Sequence, residues 1–146
     1  MPAKPTVIVE ACTVAEVNRC YPLMNILRPL LIESEFSDQV SRQQEQGYHL
    51  VMLQEDHIPV SLLGYRLVEN LIVGKFLYVD DLVTDPDLKQ RGYASRLLNW
   101  AVEVAKQHNC CAVQLDSGFG NIDAHRLYLN QGFQLNAHHL HKSLRN

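Results

Sequence analysis

The chain changes its hydrophobic period at Pro86, and that change constrains the fold more than any other feature. Before it, Tyr48 to Gln54, Pro59 to Val68 and Lys75 to Val83 are β-rich runs. They are divided by the polar turn Glu55-Asp56-His57-Ile58 and by Asn70 to Gly74, so the middle of the chain reads as an antiparallel meander. After it, Ala94, Leu97, Leu98, Ala101 and Ala105 recur at helical spacing, which predicts a helix of about four turns packed by one face. Cys111 to Asp116 follows as a short buried strand. A strand, a helix and another strand in succession call for a right-handed crossover between parallel strands. A shorter helix from about Ile122 to Asn130 ends at Gly132, and Phe133 to Leu144 reads as a last strand.

The region before the meander is helical with one leading strand. Thr6 to Glu10 is β-rich. Thr13 precedes Glu16 by three residues, a capping-box signature that starts a helix at Val14, with Val14, Val17 and Tyr21 suited to one face. Pro22 and Pro29 must kink or break the stretch that ends near Ile32. A second helix is expected after Ser37, stopping at Gly47. The expected fold class is therefore α/β: a mixed, mostly antiparallel central sheet with one parallel strand pair, flanked by helices.

At 146 residues the chain is one domain's worth, 1–146, with no repeat or linker. A formal net charge of -3 argues against a nucleic-acid or polybasic membrane partner. No apolar run approaches the ~20 residues that span a bilayer. Met1 to Glu10 lacks the features of a signal peptide. Cys12, Cys20, Cys110 and Cys111 have no C-x-x-C spacing, so they are expected to be free thiols in a reducing cytoplasm, mostly small core residues.

The stretch from Thr84 to Leu98 carries the chemistry. A strand ends, a polar turn follows, and a helix opens at Gly92 and Ala94. The first turn of a helix has unpaired N–H groups and the positive end of the macrodipole, which suit phosphate oxygens. Lys89, Gln90 and Arg91 add donors and charge at the same point. A plain strand-to-helix turn with a solvated basic patch accounts for the same residues. The loop is neither a Walker A loop nor a dinucleotide fingerprint.

Two motifs together point further. Leu82 to Ala94 resembles the central motif of the GNAT superfamily of N-acetyltransferases: a strand, a loop of the form R/Q-x-x-G-x-G/A, and a helix. Lys89, Gly92 and Ala94 stand at its first, fourth and sixth positions, and Lys89 keeps the usual charge without the planar fork. Downstream, Asn121 to Phe133 resembles the later motif N-x-x-A-x-x-x-Y ending in G-F. Leu115-Asp116-Ser117-Gly118 and Ala124-His125-Arg126-Leu127-Tyr128 are similar to a bacterial branch of that family.

The resemblance implies an acyl-CoA N-acyltransferase fold with a splayed parallel strand pair, and acetyl-CoA as cosubstrate without a metal. It implies that the backbone of Leu82, Val83 and Thr84 pairs with the pantetheine arm. The loop Lys89, Gln90, Arg91, Gly92, Tyr93, Ala94 and Ser95 would hold the pyrophosphate, and Asn121 would bond the pantetheine or a phosphate oxygen. Tyr128 would protonate the departing thiolate. The acceptor would be a small-molecule or peptide amine, and members are often homodimers. A degenerate acyl-CoA sensor without turnover and a nucleotide-phosphate binder are the rival readings. For the base that takes the amine proton, Asp80 and Asp81 are candidates. Strand alternation puts their side chains on opposite faces, so at most one is expected to meet substrate, with Asp80 sharing a face with Leu82 unless a bulge intervenes. Either could instead close a turn or pair with Arg66.

His138, His139 and His141 lack a carboxylate or cysteine at ligand spacing, so solvation or a place beside the acceptor fits better than a metal. His125 shares a helix face with Tyr128, and Trp100 and Cys110-Cys111 read as packing. Acceptor choice is expected from Tyr21 to Phe36, which carries Arg28, Glu33 and Glu35, and from the last hairpin.

Overall fold

The computed structural model describes residues 4–118 and 120–145. Residues 1–3 of the segment Met1 to Glu10, and residue 146 of the expected 1–146 domain, lie outside them. The chain divides into two compact units, Met1–Leu115 and Asp116–Asn146.

The first unit runs β1 (Thr6–Glu10), α1 (Val14–Leu27), α2 (Glu33–Glu45), β2 (Tyr48–Glu55), β3 (Ile58–Asn70), β4 (Gly74–Thr84), α3 (Tyr93–Gln107) and β5 (Ala112–Leu115). The five strands form one sheet in chain order. Neighbours are antiparallel from β1 to β4, and β4 pairs with β5 in parallel. The α3 crossover expected after Pro86 makes that parallel pair possible.

Local chemistry sets the element ends. Thr13 and Glu16 form the full capping box at the start of α1, an arrangement worth about 1 kcal/mol. Pro22 sits inside α1, while the chain leaves the helix at Arg28, just before Pro29. Asp56 and His57 both take positive φ, 50° and 64°, in the two-residue β2–β3 turn, where the backbone must match the strand twist. Asn70 Oδ1 accepts from the amides of Ile72 and Val73 and closes the β3–β4 turn.

Leu50, Val51, Met52 and Leu53 are all fully buried. Four consecutive buried residues require both faces of the strand to be covered. On one face Leu50, Met52, Leu62 and Val83 pack with Val17, Cys20 and Met24 of α1 and with Phe36 and Val40 of α2. On the other, Leu97, Leu98 and Ala101 of α3 are buried, and Trp100 meets the Tyr65 ring edge-on at 5.9 Å.

Several expectations are corrected. α2 begins at Glu33 rather than after Ser37. Glu33 and Glu35 lie in its first turn, where the helix dipole favours acid. Val14 is exposed, because the buried face of α1 follows Val17, Cys20, Leu23 and Met24. Cys20 is buried, Cys110 half-buried and Cys12 and Cys111 exposed, so the cysteines are not mainly core.

The second unit contains α4 (Ile122–Asn130). The last strand expected over Phe133 to Leu144 is absent: residues 133–145 carry no strand, and Leu135, Leu140 and Leu144 are exposed. A strand is defined by its ladder, and β propensity without a paired neighbour does not make one.

Candidate active site

A bulge in β4 decides what this sheet can do. Gly64 of β3 faces Asp81, while the next residue, Tyr65, faces Val79. Asp80 is therefore the extra residue, and β4 shifts its side-chain alternation there. The expectation that alternation puts the Asp80 and Asp81 side chains on opposite faces is corrected for this reason. Both line one cavity on the α1/α2 face of the sheet. The same shift turns Leu82, paired with Leu63, to the opposite face from Asp80.

The cavity has a volume of about 550 Å³. Met24, Leu31, Phe36 and Val40 give it apolar walls, and Gln39, Gln43 and Gln46 of the α2 segment give it neutral amides. Its charges are Arg28, Arg66, Asp80 and Asp81. Arg66 grips Asp80 as a fork, with Nε to Oδ2 at 2.7 Å and a terminal nitrogen to Oδ1 at 2.9 Å. That hydrogen bonding raises the Arg66 pKa further. Arg28 donates to Asp81 Oδ1 from Nε at 3.2 Å and from a terminal nitrogen at 3.0 Å, and the same terminal nitrogen donates to the Asp80 carbonyl at 2.9 Å.

The other oxygen of Asp81 belongs to Tyr48, whose hydroxyl donates to Oδ2 at 2.7 Å. Burial, reinforced by the Asp81 charge, pushes the Tyr48 pKa well above its usual value, so the phenol keeps its proton. Gly64 makes this contact possible. A Cβ there would lie 2.0 Å from the Tyr48 hydroxyl oxygen and 2.7 Å from Asp81 Oδ2. Sequence reasoning had Arg66 as a partner for one aspartate but missed Tyr48 and Gly64. The lone glycine inside a strand run was the available signal, since such a residue marks a bulge or a close approach.

Beyond the cavity, β4 loses its parallel neighbour. The last β4–β5 pair is Val79 with Leu115, yet β4 continues to Thr84. Its far half is held by β3 alone, through the pairs Leu63–Leu82, Leu62–Val83 and Ser61–Thr84. The Ser61 hydroxyl adds bonds to the Val83 carbonyl and the Thr84 hydroxyl, both 2.9 Å. The Leu82, Val83 and Thr84 backbone thus lies beyond the last β4–β5 pair.

The loop then carries the chain into α3. Asp85 accepts from the Asp87 amide at 3.0 Å. Lys89, Gln90 and Arg91 are exposed. Gly92 caps α3 at φ +81°, a left-handed conformation that favours glycine, and no side chain caps this end. The amide of Arg96 is bonded to the Gly92 carbonyl at 3.0 Å. The amides of Tyr93, Ala94 and Ser95 precede it and have no acceptor within the helix. Tyr93 turns its hydroxyl to Glu55, and that bond raises the phenol's pKa.

Asn121 and Tyr128 belong to the second unit. Asn121 Oδ1 caps α4 by accepting from the Ala124 amide at 3.2 Å. Tyr128 is half-buried, packs edge-on to Phe133 at 5.9 Å, and has its pKa raised by desolvation. His139 Nδ1 lies 3.0 Å from Asp116 Oδ2, a carboxylate partner that sequence spacing did not suggest. No group of three or more His, Cys, Asp or Glu among the described residues could hold a metal ion. No helix among them is long and apolar enough to cross a membrane.

This fold is found in known proteins. An aminoglycoside N-acetyltransferase solved in complex with CoA superposes with a TM-score of 0.85 over 99% of this chain and 98% of its own, at 13% identity. Glucosamine-6-phosphate N-acetyltransferase from Arabidopsis thaliana superposes at 0.78 over 97% and 100%, at 14% identity. These likenesses establish the fold. In sequence, the chain is 32% identical over 120 residues to the uncharacterized N-acetyltransferase YhdJ of Bacillus subtilis (strain 168), covering 81% of this chain and 84% of that protein. The acetyltransferase (GNAT) family profile matches residues 15–133, and the chain belongs to that family.

Proposed function

We propose that the protein is an N-acetyltransferase that moves an acetyl group from acetyl-CoA to a primary amine by direct attack, within one domain spanning residues 1–146. The observation that carries this reading is the continuity of β4. One strand delivers two carboxylates to a cavity and then runs on past the end of β5, paired with β3, toward an uncapped helix start. The CoA bound by the aminoglycoside N-acetyltransferase of the same fold supports the choice of donor.

In this reading Leu82, Val83 and Thr84 pair with the pantetheine arm. Residues Lys89 to Ser95 hold the pyrophosphate through backbone N–H groups and the helix dipole, and Asn121 adds a side-chain contact. The amine nitrogen forms a bond to the thioester carbon while the carbon–sulfur bond breaks, and a β4 N–H near Leu82 steadies the developing oxyanion. Asp81, or water held by it, takes the ammonium proton. Asp80 is the weaker candidate because one bidentate Arg66 fork holds both of its oxygens, whereas the cation on Asp81 is the half-exposed Arg28, bonded to a single oxygen. Tyr128 returns a proton to the coenzyme A thiolate, and its raised pKa keeps that proton in place at neutral pH.

The test is thiol release from acetyl-CoA over an amine panel, with the acetylated product identified by mass. Acetyl-CoA binding without release on any amine would sink the reading in favour of a sensor. Y128F should lower kcat by about tenfold or more; wild-type turnover across pH would remove Tyr128 from the acid role.

A further inference from the structure

We propose that the acceptor is a zwitterion, a single amine whose molecule also carries a carboxylate, as in an apolar amino acid. It would insert between Arg28 and Asp81. This rests on the acetyltransferase reading above and names the substrate class for that site.

The argument begins from the cavity's charges. Two guanidinium groups and two carboxylates line it, so its formal charge is zero. All four carboxylate oxygens are in use. Asp80 gives both to Arg66, and Asp81 gives one to Arg28 and one to Tyr48. The Asp81 oxygen away from the buried Tyr48 phenol is the one Arg28 holds, so a substrate ammonium that takes that oxygen displaces Arg28.

The displaced Arg28 then has no spare carboxylate among the cavity residues. A carboxylate on the substrate supplies one, and an arginine fork binds it well. The exchange replaces one internal ion pair with two ion pairs to substrate and leaves the cavity neutral. A polyamine would bring several positive charges to a cavity with no free acid, which is costly where water is partly excluded. Arg28 can make the move. Its side chain is 50% exposed against 14% for Asp81, and it projects from the residue that ends α1. The apolar walls and neutral amides suit a side chain without further charge.

The experiment compares three acceptors that share one apolar side chain (the amino acid, its carboxamide and the decarboxylated amine) together with a polyamine. Thiol release from acetyl-CoA is the readout. The wild-type protein should prefer the amino acid over the other three by at least about tenfold in kcat/KM. R28Q should bring the ratio of acid to carboxamide close to one, chiefly through the KM of the acid. R28K, which keeps the charge but loses the fork, should fall between. Preference for the polyamine or the decarboxylated amine in the wild type would overturn the acceptor class. So would an unchanged ratio in R28Q whose melting temperature matches wild type. No release on any amine would overturn the acetyltransferase reading itself, a distinguishable result.

Discussion

The cavity and the start of α3 present opposite chemistry to a ligand. At the helix start the amides of Tyr93, Ala94 and Ser95 have no acceptor within the helix, and Lys89, Gln90 and Arg91 stand exposed around them. A phosphate there adds bonds without breaking any. In the cavity Asp80 and Asp81 are already bonded on every oxygen, and Tyr48 is locked against Asp81. A charged ligand that takes the place of Arg28 there exchanges partners. An additive site favours affinity for a common anion. An exchange site favours discrimination, because a ligand of the wrong charge leaves a charged group unpaired.

Replacing Asp81 should sharpen this contrast most. D81N is expected to lower kcat/KM for the acceptor about 100-fold while the KM for acetyl-CoA stays within about twofold. Equal losses on both substrates in steady-state kinetics would mean the two regions are not separable.

Gly64→Ala comes next. The new methyl would lie 2.0 Å from the Tyr48 oxygen, so the Tyr48–Asp81 bond must give way. A stability loss of about 2 kcal/mol is expected, read by urea denaturation, with acceptor turnover falling in parallel.

Gly92→Ala tests the other region. No atom within 4 Å would meet the new methyl, but the backbone sits at φ +81°. The strain of about 1 kcal/mol should appear as a several-fold rise in the KM for acetyl-CoA, leaving the acceptor KM unmoved. A rise in the acceptor KM instead would break the comparison.

The smallest effect concerns the core under the cavity. Burial raises the Cys20 thiol from 9.0 to about 12. Its pKa is higher folded than unfolded, so the folded chain holds the proton that the unfolded chain releases as pH rises through about 9. Stability is intact below that pH and falls above it. Cys20→Ala should reduce that fall by less than about 1 kcal/mol between roughly pH 8.5 and 9.5, measured by paired denaturation curves. Tyr65, raised to about 12, leaves an alkaline decline in both proteins.

Much of the fold was legible because its signals are local. The capping box at Thr13 and Glu16, the turns around Asp56-His57 and Asn70, and the helical spacing from Ala94 to Ala105 each lie within a few residues. Each appears where expected. The last strand was not legible, since Phe133 to Leu144 has strand composition but a strand requires a partner. The β4 bulge was illegible in detail for the same kind of reason. Strand parity predicts opposite faces for Asp80 and Asp81, and the parity fails at one residue whose position depends on how β3 pairs.

Sequence alone determined the order of strands and helices through α4, the family, and the loop from Lys89 to Ser95, because spacing and residue type along the chain encode them. Tertiary structure decided which charges meet. It brought Tyr48, Arg28 and Asp81 together across 53 positions of chain and set both aspartates in one cavity. Those contacts arise from strand register and helix packing, which join residues distant in sequence and leave no local spacing to read.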